Sequence, residues 1–280
     1  MVSIGTTYYG HDPALLEVIL PRVDFIEVSP DSISRLERGR PTIGADVLDE
    51  LRAIAKSARI IAHGTGLSIG SADGWCDDYL TLSDLLFSTV DVPFHSEHLG
   101  FTMVGGRDTG TMLVLPRVEA AVELIVERVQ EIQERFRVPF LLENIANLFP
   151  EHPRQDYSPA GFLNEITRRS GCGLLLDVYN LECDVWNQRI DLDAFLNELD
   201  FRTVREIHIA NGIVHRGLML DVHSRATRPE TLSIADQVLR RATAAEVLLF
   251  EMLPQAVAAN GRDAVAAELD MLRARYAREH

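Results

Sequence analysis

The stretch from Val138 to Val178 reads VPFLLEN at 138–144, SPAGFLNEITRRSG at 158–171 and GLLLDV at 173–178. Its outer segments are short apolar runs, too short for helices and apolar on both faces, like strands of a parallel sheet covered by helices. Between them Ser158 is placed to cap a helix, Pro159 takes its first position and Gly171 stops it. Strand, helix and strand in this order make one crossover unit, and such crossovers are right-handed.

The same alternation extends in both directions. Further strands are expected at 2–6, 24–29, 59–64, 92–98, 204–210 and 246–252, giving eight in all. Helical spacing marks 13–23, 45–58, 77–90, 118–136, 191–199, 233–242 and the tail through Ala277. In the second of these, Val47, Leu48, Leu51, Ile54 and Ala55 form one apolar stripe. Eight strand–helix units in 280 residues predict an α/β fold, a (β/α)8 TIM barrel, which typically needs about 250 residues. A doubly wound open sheet is the competitor, but it usually has fewer strands, and no G-x-G-x-x-G follows the first strand. No linker or low-complexity segment interrupts the chain, so one domain over 1–280 is expected. The segments 64–76, 99–115, 144–157, 179–190 and 211–230 read as long loops on the catalytic face of the barrel.

Composition narrows the class. Hydrophobic residues make up 46% and charged residues 25%, ordinary for a globular chain. The 27 Lys+Arg against 42 Asp+Glu leave −15, a field that repels nucleic acid and anionic lipid. Cys76, Cys172 and Cys183 are odd in number and scattered, which argues for a reducing cytosol over a disulfide framework. The start, MVSIGTTYYGHDP, has no signal-peptide pattern, and no apolar run approaches the ~20 residues of a membrane span. A soluble cytoplasmic protein is expected.

Polar residues gather where the strands end. Glu27, His63, His98, Glu143, Asp177, His208 and Glu251 close seven successive strands; Asn144, Asn180 and Asn211 lie just beyond, and Asp221 and His223 follow as D-V-H. One such residue is usually a paired structural group, but repetition at one rim of a barrel argues for a site. Imidazoles with carboxylates and no cysteine suit iron, zinc or manganese. The donors exceed what a single ion can use, so two or three ions sharing a carboxylate fit better. No G-x-S-x-G supports a serine nucleophile. His95 and His98 cannot both face inward in a regular strand, so His98 is taken as the ligand and His95 reads as packing or as a group behind a ligand. Glu97 is expected to hold a ligating imidazole. Glu27 is either a group near the site or half of a buried pair. Trp75 and Trp186 would pave a peptide groove or simply cap the mouth, while His11, His152 and His280 read as surface and His215 as an exposed loop residue.

The strings IAHGTGLSIGS, SEHLGF, LLENIANL, GLLLDVYNL, EIHIAN, the D-V-H pair and LLFEM resemble, in order, the blocks of the multinuclear non-haem iron-dependent oxidative enzymes, the MNIO family. That family was long catalogued as a domain of unknown function and includes the oxidase of methanobactin biosynthesis. The resemblance covers nearly the whole chain and implies a xylose-isomerase-like TIM barrel with two or three irons, mixed Fe(II)/Fe(III), at its C-terminal face. Carried over residue by residue, it implies that His63 and His98 hold one iron and that Glu143 bridges. Asp177, His208 and Glu251 would hold the second iron, and Asn180, Asp221 and His223 the third. Catalysis would depend on His98, Glu143 and His208. The resemblance further implies O2 as co-substrate and a ribosomally made precursor peptide, modified at cysteine or aspartate, often with a partner protein that grips its leader. VSIGTTYYG, EVSPDSIS and ANGIVHRG depart from the usual blocks while leaving the ligand set intact. The alternatives are a divalent-metal sugar isomerase or phosphodiester hydrolase, for which Arg107, Arg216 and Arg225 would be the phosphate contacts, and a non-catalytic metal-binding barrel.

Overall fold

A computed structural model of the chain describes residues 2–150 and 152–277; His280, read as surface, lies outside them. Eight parallel strands close into a barrel: β1 (Ser3–Thr7), β2 (Phe25–Val28), β3 (Arg59–Gly64), β4 (His95–His98), β5 (Phe140–Glu143), β6 (Gly173–Asp177), β7 (Val204–Ile209) and β8 (Val247–Phe250). Each strand pairs with its neighbours in sequence order, and β8 closes on β1. Seven fall within the segments read as strands, and β1 overruns its segment by one residue, Thr7. Helices at Pro13–Ile19, Ala45–Ile54, Asp77–Thr89, Glu119–Phe136, Pro159–Ser170, Leu192–Glu198, Pro229–Arg241 and Arg262–Tyr276 follow the strands. Ser158 caps its helix by accepting from Gly161 N at 2.9 Å, and Gly171 ends it at φ 74.

The barrel interior is layered. Phe25, Ile61, Phe94, Leu141, Leu175, Val247 and Leu249 form a buried apolar plug. Gly5 leaves room for it, since a Cβ there would come within 3.1 Å of Val247 and 3.2 Å of Leu249. Two residues further along each strand the inward positions become polar, because side chains alternate with period two. Register brings those positions level: His98 pairs with Glu143, and Asp177 with His208.

Several segments read as loops carry structure. Residues 179–190 are mostly a helix, Val178–Trp186, which starts directly off β6 because Asp177 caps it: its Oδ1 accepts from Asn180 N at 2.5 Å. Antiparallel hairpins occupy Gly100–Val104 with Arg107–Val114 and Ile213–His215 with Leu218–Leu220, and a third, Ser34–Glu37 with Arg40–Ile43, lies in a stretch to which the sequence reading assigned no element. These short strands lie outside the barrel and bury only single residues such as Ile43 and Met219, so their apolar periodicity is weak. Among the described residues no helix is long and apolar enough to cross a membrane.

Candidate metal centre

At the C-terminal rim, four sets of three side chains bring ligand atoms within 4.8 Å of one another: His63, His98 and Glu143; Glu143, Asp177 and His208; Asp177, His223 and Glu251; and Glu27, Glu206 and His208. Three of the four sets are linked through Glu143 and Asp177, so the centre is continuous.

In the first set, His63 Nε2 and His98 Nε2 approach Glu143 Oε2 at 3.1 and 3.3 Å. Yet neither His63 Nε2 nor Glu143 Oε2 has a hydrogen-bond partner. Buried polar atoms this close but not aligned as donor and acceptor are the arrangement that a shared cation satisfies. The far nitrogens are held from behind: His63 Nδ1 lies 2.9 Å from Ser96 Oγ, and His98 Nδ1 2.9 Å from the Gly64 carbonyl. With Nδ1 donating, each ring turns its Nε2 lone pair to the centre. Glu97 does not do this work, contrary to the sequence reading. Its Oε1 lies 3.8 Å from His98 Nδ1, and it instead accepts from the backbone of His98 and Leu67. Glu97 faces the opposite side of the strand from His98 and is fully enclosed, so backbone amides are its available donors.

Asp177 uses Oδ1 as a helix cap and leaves Oδ2 without a hydrogen-bond partner. Asn144 clamps its backbone, donating to Asp177 O at 3.0 Å and accepting from Asp177 N at 2.8 Å. Asn180 donates to Glu143 Oε1 at 3.3 Å and to Asn144 O at 3.1 Å, while its own Oδ1 is unpartnered. On the far side, Glu251 Oε2 sits 3.1 Å from both His208 Nδ1 and His223 Nδ1. Asp221 contacts His223 Nε2, and Asp177 Oδ2 lies 4.0 Å from the same nitrogen. Glu251 therefore lies between His208 and His223, and groups with His223 and Asp177. His223 adopts φ 34, a left-handed conformation uncommon outside glycine. Its loop is pinned there by Leu253 N to His223 O at 3.0 Å and Ser224 N to Asn211 O at 2.7 Å. Asn211 itself donates to the Ala226 carbonyl and serves that loop.

The electrostatics tie the groups together. Burial opposes charge on Glu143, but His98 and His63 outweigh it and pull the carboxyl down to about 2. Burial likewise opposes charge on His98, which Glu143 and Glu97 nonetheless push up to about 10. Asp177 is pushed up to about 7 by burial and by the Glu143 charge. His208 and His223 stand well above the usual imidazole value: burial works against this, and Glu27 at the first and Asp221 at the second overcome it.

Other candidates lie elsewhere. His95 packs among Phe87, Phe136 and Phe140, and burial lowers it to about 3. Trp75 lies under Arg128, and Trp186 is exposed with its Nε1 donating to Gly217 O. His11, His152, His215, Arg107, Arg216 and Arg225 are exposed. An apolar cleft of about 370 Å³, lined by Leu99, Phe101, Ile145, Phe149 and Phe195 among others, reaches Asn144 beside the centre. Sequence reading missed Glu206. The signal was available, since E-I-H on β7 puts Glu206 and His208 on one face, but an upstream carboxylate reads as lying below the rim.

The sequence profile of the RiPP precursor modification enzymes MbnB/TglH/ChrH matches residues 9–259. The chain belongs to this family. RiPPs are ribosomally made, post-translationally modified peptides. Two relatives carry only the name UPF0276 protein: one from Rhizorhabdus wittichii is 31% identical over 220 residues, covering 78% of this chain and 76% of the relative. The other, from Caulobacter vibrioides, is 29% identical over 269 residues, covering 95% and 91%. Among solved structures, a D-psicose 3-epimerase aligns with TM-score 0.60 at 12% identity, covering 99% of this chain and 100% of the epimerase. That likeness establishes the xylose-isomerase-like barrel of this MbnB/TglH/ChrH family member and nothing about its chemistry.

Proposed function

We propose that the chain is an iron-dependent oxidoreductase that uses O2 to modify a cysteine or aspartate of a ribosomally made precursor peptide. The observation that carries this reading is the set of buried, unpartnered ligand atoms, His63 Nε2, Glu143 Oε2, Asp177 Oδ2, Asn180 Oδ1 and His223 Nε2, converging at the rim of a RiPP-modification barrel. An imidazole–carboxylate set without thiolate suits iron. His63 and His98 would hold one ion, Asp177, His208 and Glu251 a second, and Asn180, Asp221 and His223 a third, with Glu143 shared between the first two. When bound, two or three irons supply redox chemistry toward O2 and a Lewis-acidic anchor for the substrate side chain. The protein's own part is orientation: Ser96 and Gly64 set the tautomers of His63 and His98, and Asn144 and Asn180 hold Asp177 and Glu143 in register. His98, Glu143 and His208 are the residues on which turnover should depend. The apolar cleft beside Asn144 would take flanking residues of the peptide.

A leader-binding partner protein is part of this reading, as is the cytoplasm, where three free cysteines are at home. The charge of −15 disfavours nucleic acid. For a phosphodiester hydrolase the candidate phosphate contacts remain Arg107, Arg216 and Arg225, all exposed. The test is to purify the chain without oxygen, count its metals, and follow O2 uptake on adding precursor peptides encoded beside it. More than one iron per chain and peptide-dependent O2 uptake, lost in His98→Ala and His208→Ala, is the expected result. Zinc-only activity, or turnover in strict anaerobiosis, would overturn the proposal.

A further inference from the structure

We propose that Glu27 and Glu206 are positioning residues that hold a proton on His208 Nε2 and so dedicate His208 Nδ1 to the metal centre. The inference rests on the reading of His208 as a metal ligand. His208 is fully buried, with carboxylates at both nitrogens. Nδ1 faces Glu251 Oε2 at 3.1 Å; Nε2 faces Glu27 Oε2 at 3.1 Å and Glu206 Oε1 at 3.5 Å. A neutral imidazole has one N–H and one lone pair, so the two sides cannot play the same part. Glu251 also groups with Asp177 and His223, and Asp177 with Glu143, so the Nδ1 side is continuous with the other ligand sets, whereas Glu27 and Glu206 join them only through His208. The Nε2 side is closed. Glu27 and Glu206 are 2% and 0% exposed, and Glu206 is level with Leu175 and Val247 of the apolar plug, one step below the rim.

Neither oxygen of Glu206 has a hydrogen-bond partner. A buried carboxylate in an apolar layer is costly unless positive charge lies nearby. Two carboxylates behind one imidazole make sense if cations sit in front of it. Their negative charge then polarises the ring, makes Nδ1 the more basic donor and fixes the plane of the ring. The β7 backbone supplies Glu206 by alternation from His208, and β2 delivers Glu27 across the barrel.

The test uses the full chain, with neither peptide nor O2. Fe(II) binding to wild type, Glu27→Gln and Glu206→Gln is measured anaerobically against a chromophoric chelator, with redox titration of the loaded proteins. The ion held through His208 should bind about 10–100-fold more weakly in each variant, while the ion at His63 and His98 keeps its affinity. The midpoint potential of the weakened ion should rise, because less electron density reaches it; a purely structural role would leave that potential unmoved. Variants that match wild type in affinity and potential would overturn this inference alone. So would the outright loss of an additional ion in either variant, which would make these carboxylates direct ligands of their own cation. A wild-type chain that takes up no ion would overturn the functional proposal as well.

Discussion

Glu143→Gln separates a bridging carboxylate from a terminal one. The substitution keeps the volume and leaves a carbonyl oxygen for Asn180 Nδ2, now 3.3 Å from Glu143 Oε1. It removes the charge that His63 Nε2 and His98 Nε2 approach at 3.1 and 3.3 Å. Losing a residue behind a ligand costs about 10–100-fold in affinity, and losing a ligand costs at least that, or about 1.4–2.7 kcal/mol per ion. Because Glu143 also groups with Asp177 and His208, two ions should weaken together. The metal-free chain gives a second readout. Glu143 is held down at about 2, so its contribution is present above the unfolded value near 4.5 and lost as pH falls through 2. His98 is held up at about 10, so its contribution is complete below 6.5 and lost as pH rises through 10. The pair is worth most between about pH 4.5 and 6.5, where removing one partner of a buried pair costs about 3–5 kcal/mol at most. Above pH 6.5 the imidazoles can shed their protons, and the deficit of the variant should shrink. Anaerobic dialysis with metal analysis, and urea denaturation of metal-free protein at pH 5.5 and 9, are the assays. Loss of one ion with the others at wild-type affinity would refute the bridge. A deficit larger at pH 9 than at 5.5 would refute the electrostatic argument.

Three further outcomes follow from the same geometry. His95 falls from the usual 6.5 to about 3 through burial, so the unfolded chain binds more protons between those values and wild type loses stability as pH drops through that window. Relative to wild type, His95→Phe should therefore gain about 2 kcal/mol between pH 7 and 5 in urea denaturation; a pH-independent difference would contradict the assignment. Asp221→Ala with His223→Ala should remove one ion while those at His63, His98 and Glu143 persist, as read by anomalous scattering; loss of every ion would make the pinned loop part of the whole cluster. Leu141→Ala, in the apolar plug, should lower stability by roughly 2–5 kcal/mol and leave metal stoichiometry intact, as thermal melts and metal analysis would show.

How far the sequence could be read depends on which element does the burying. Each barrel strand is buried on both faces, so runs such as LLLD and FLLE announce themselves, and Ser158, Pro159 and Gly171 mark a helix by their chemistry alone. The helix at Val178–Trp186 was hidden because its N-cap, Asp177, is also a candidate ligand, and the polar string Y-N-L-E-C-D resembles a loop. Hairpins such as Ile213–Leu220 bury only an isolated side chain, Met219, which is too little to impose an alternating pattern. At the rim, alternation told His95 from His98, because a two-residue period decides which side chain meets Phe136 and which meets Glu143. The same rule left Glu97 misassigned: it gives the face of a side chain, not its partner, and the partners proved to be amides of Leu67 and His98.

Glu206 shows why the depth of a residue matters as much as its face. A carboxylate below the rim looks like an error in an apolar plug until its neighbours across the barrel are known. Six carboxylates, Glu27, Glu143, Asp177, Glu206, Asp221 and Glu251, face only four imidazoles, His63, His98, His208 and His223, at one end of the barrel. In the metal-free chain the imidazoles, Asp177 and Glu206 are all shifted upward, toward their protonated forms, which lowers the charge imbalance of the cluster. A divalent ion entering between Glu143 and its histidines displaces those protons, so affinity rises with pH and loading releases acid. The plug of Phe25, Phe94 and Leu141 packs below the rim. The rim keeps unpartnered ligand atoms that cations would complete, so folding and loading would be linked through protons.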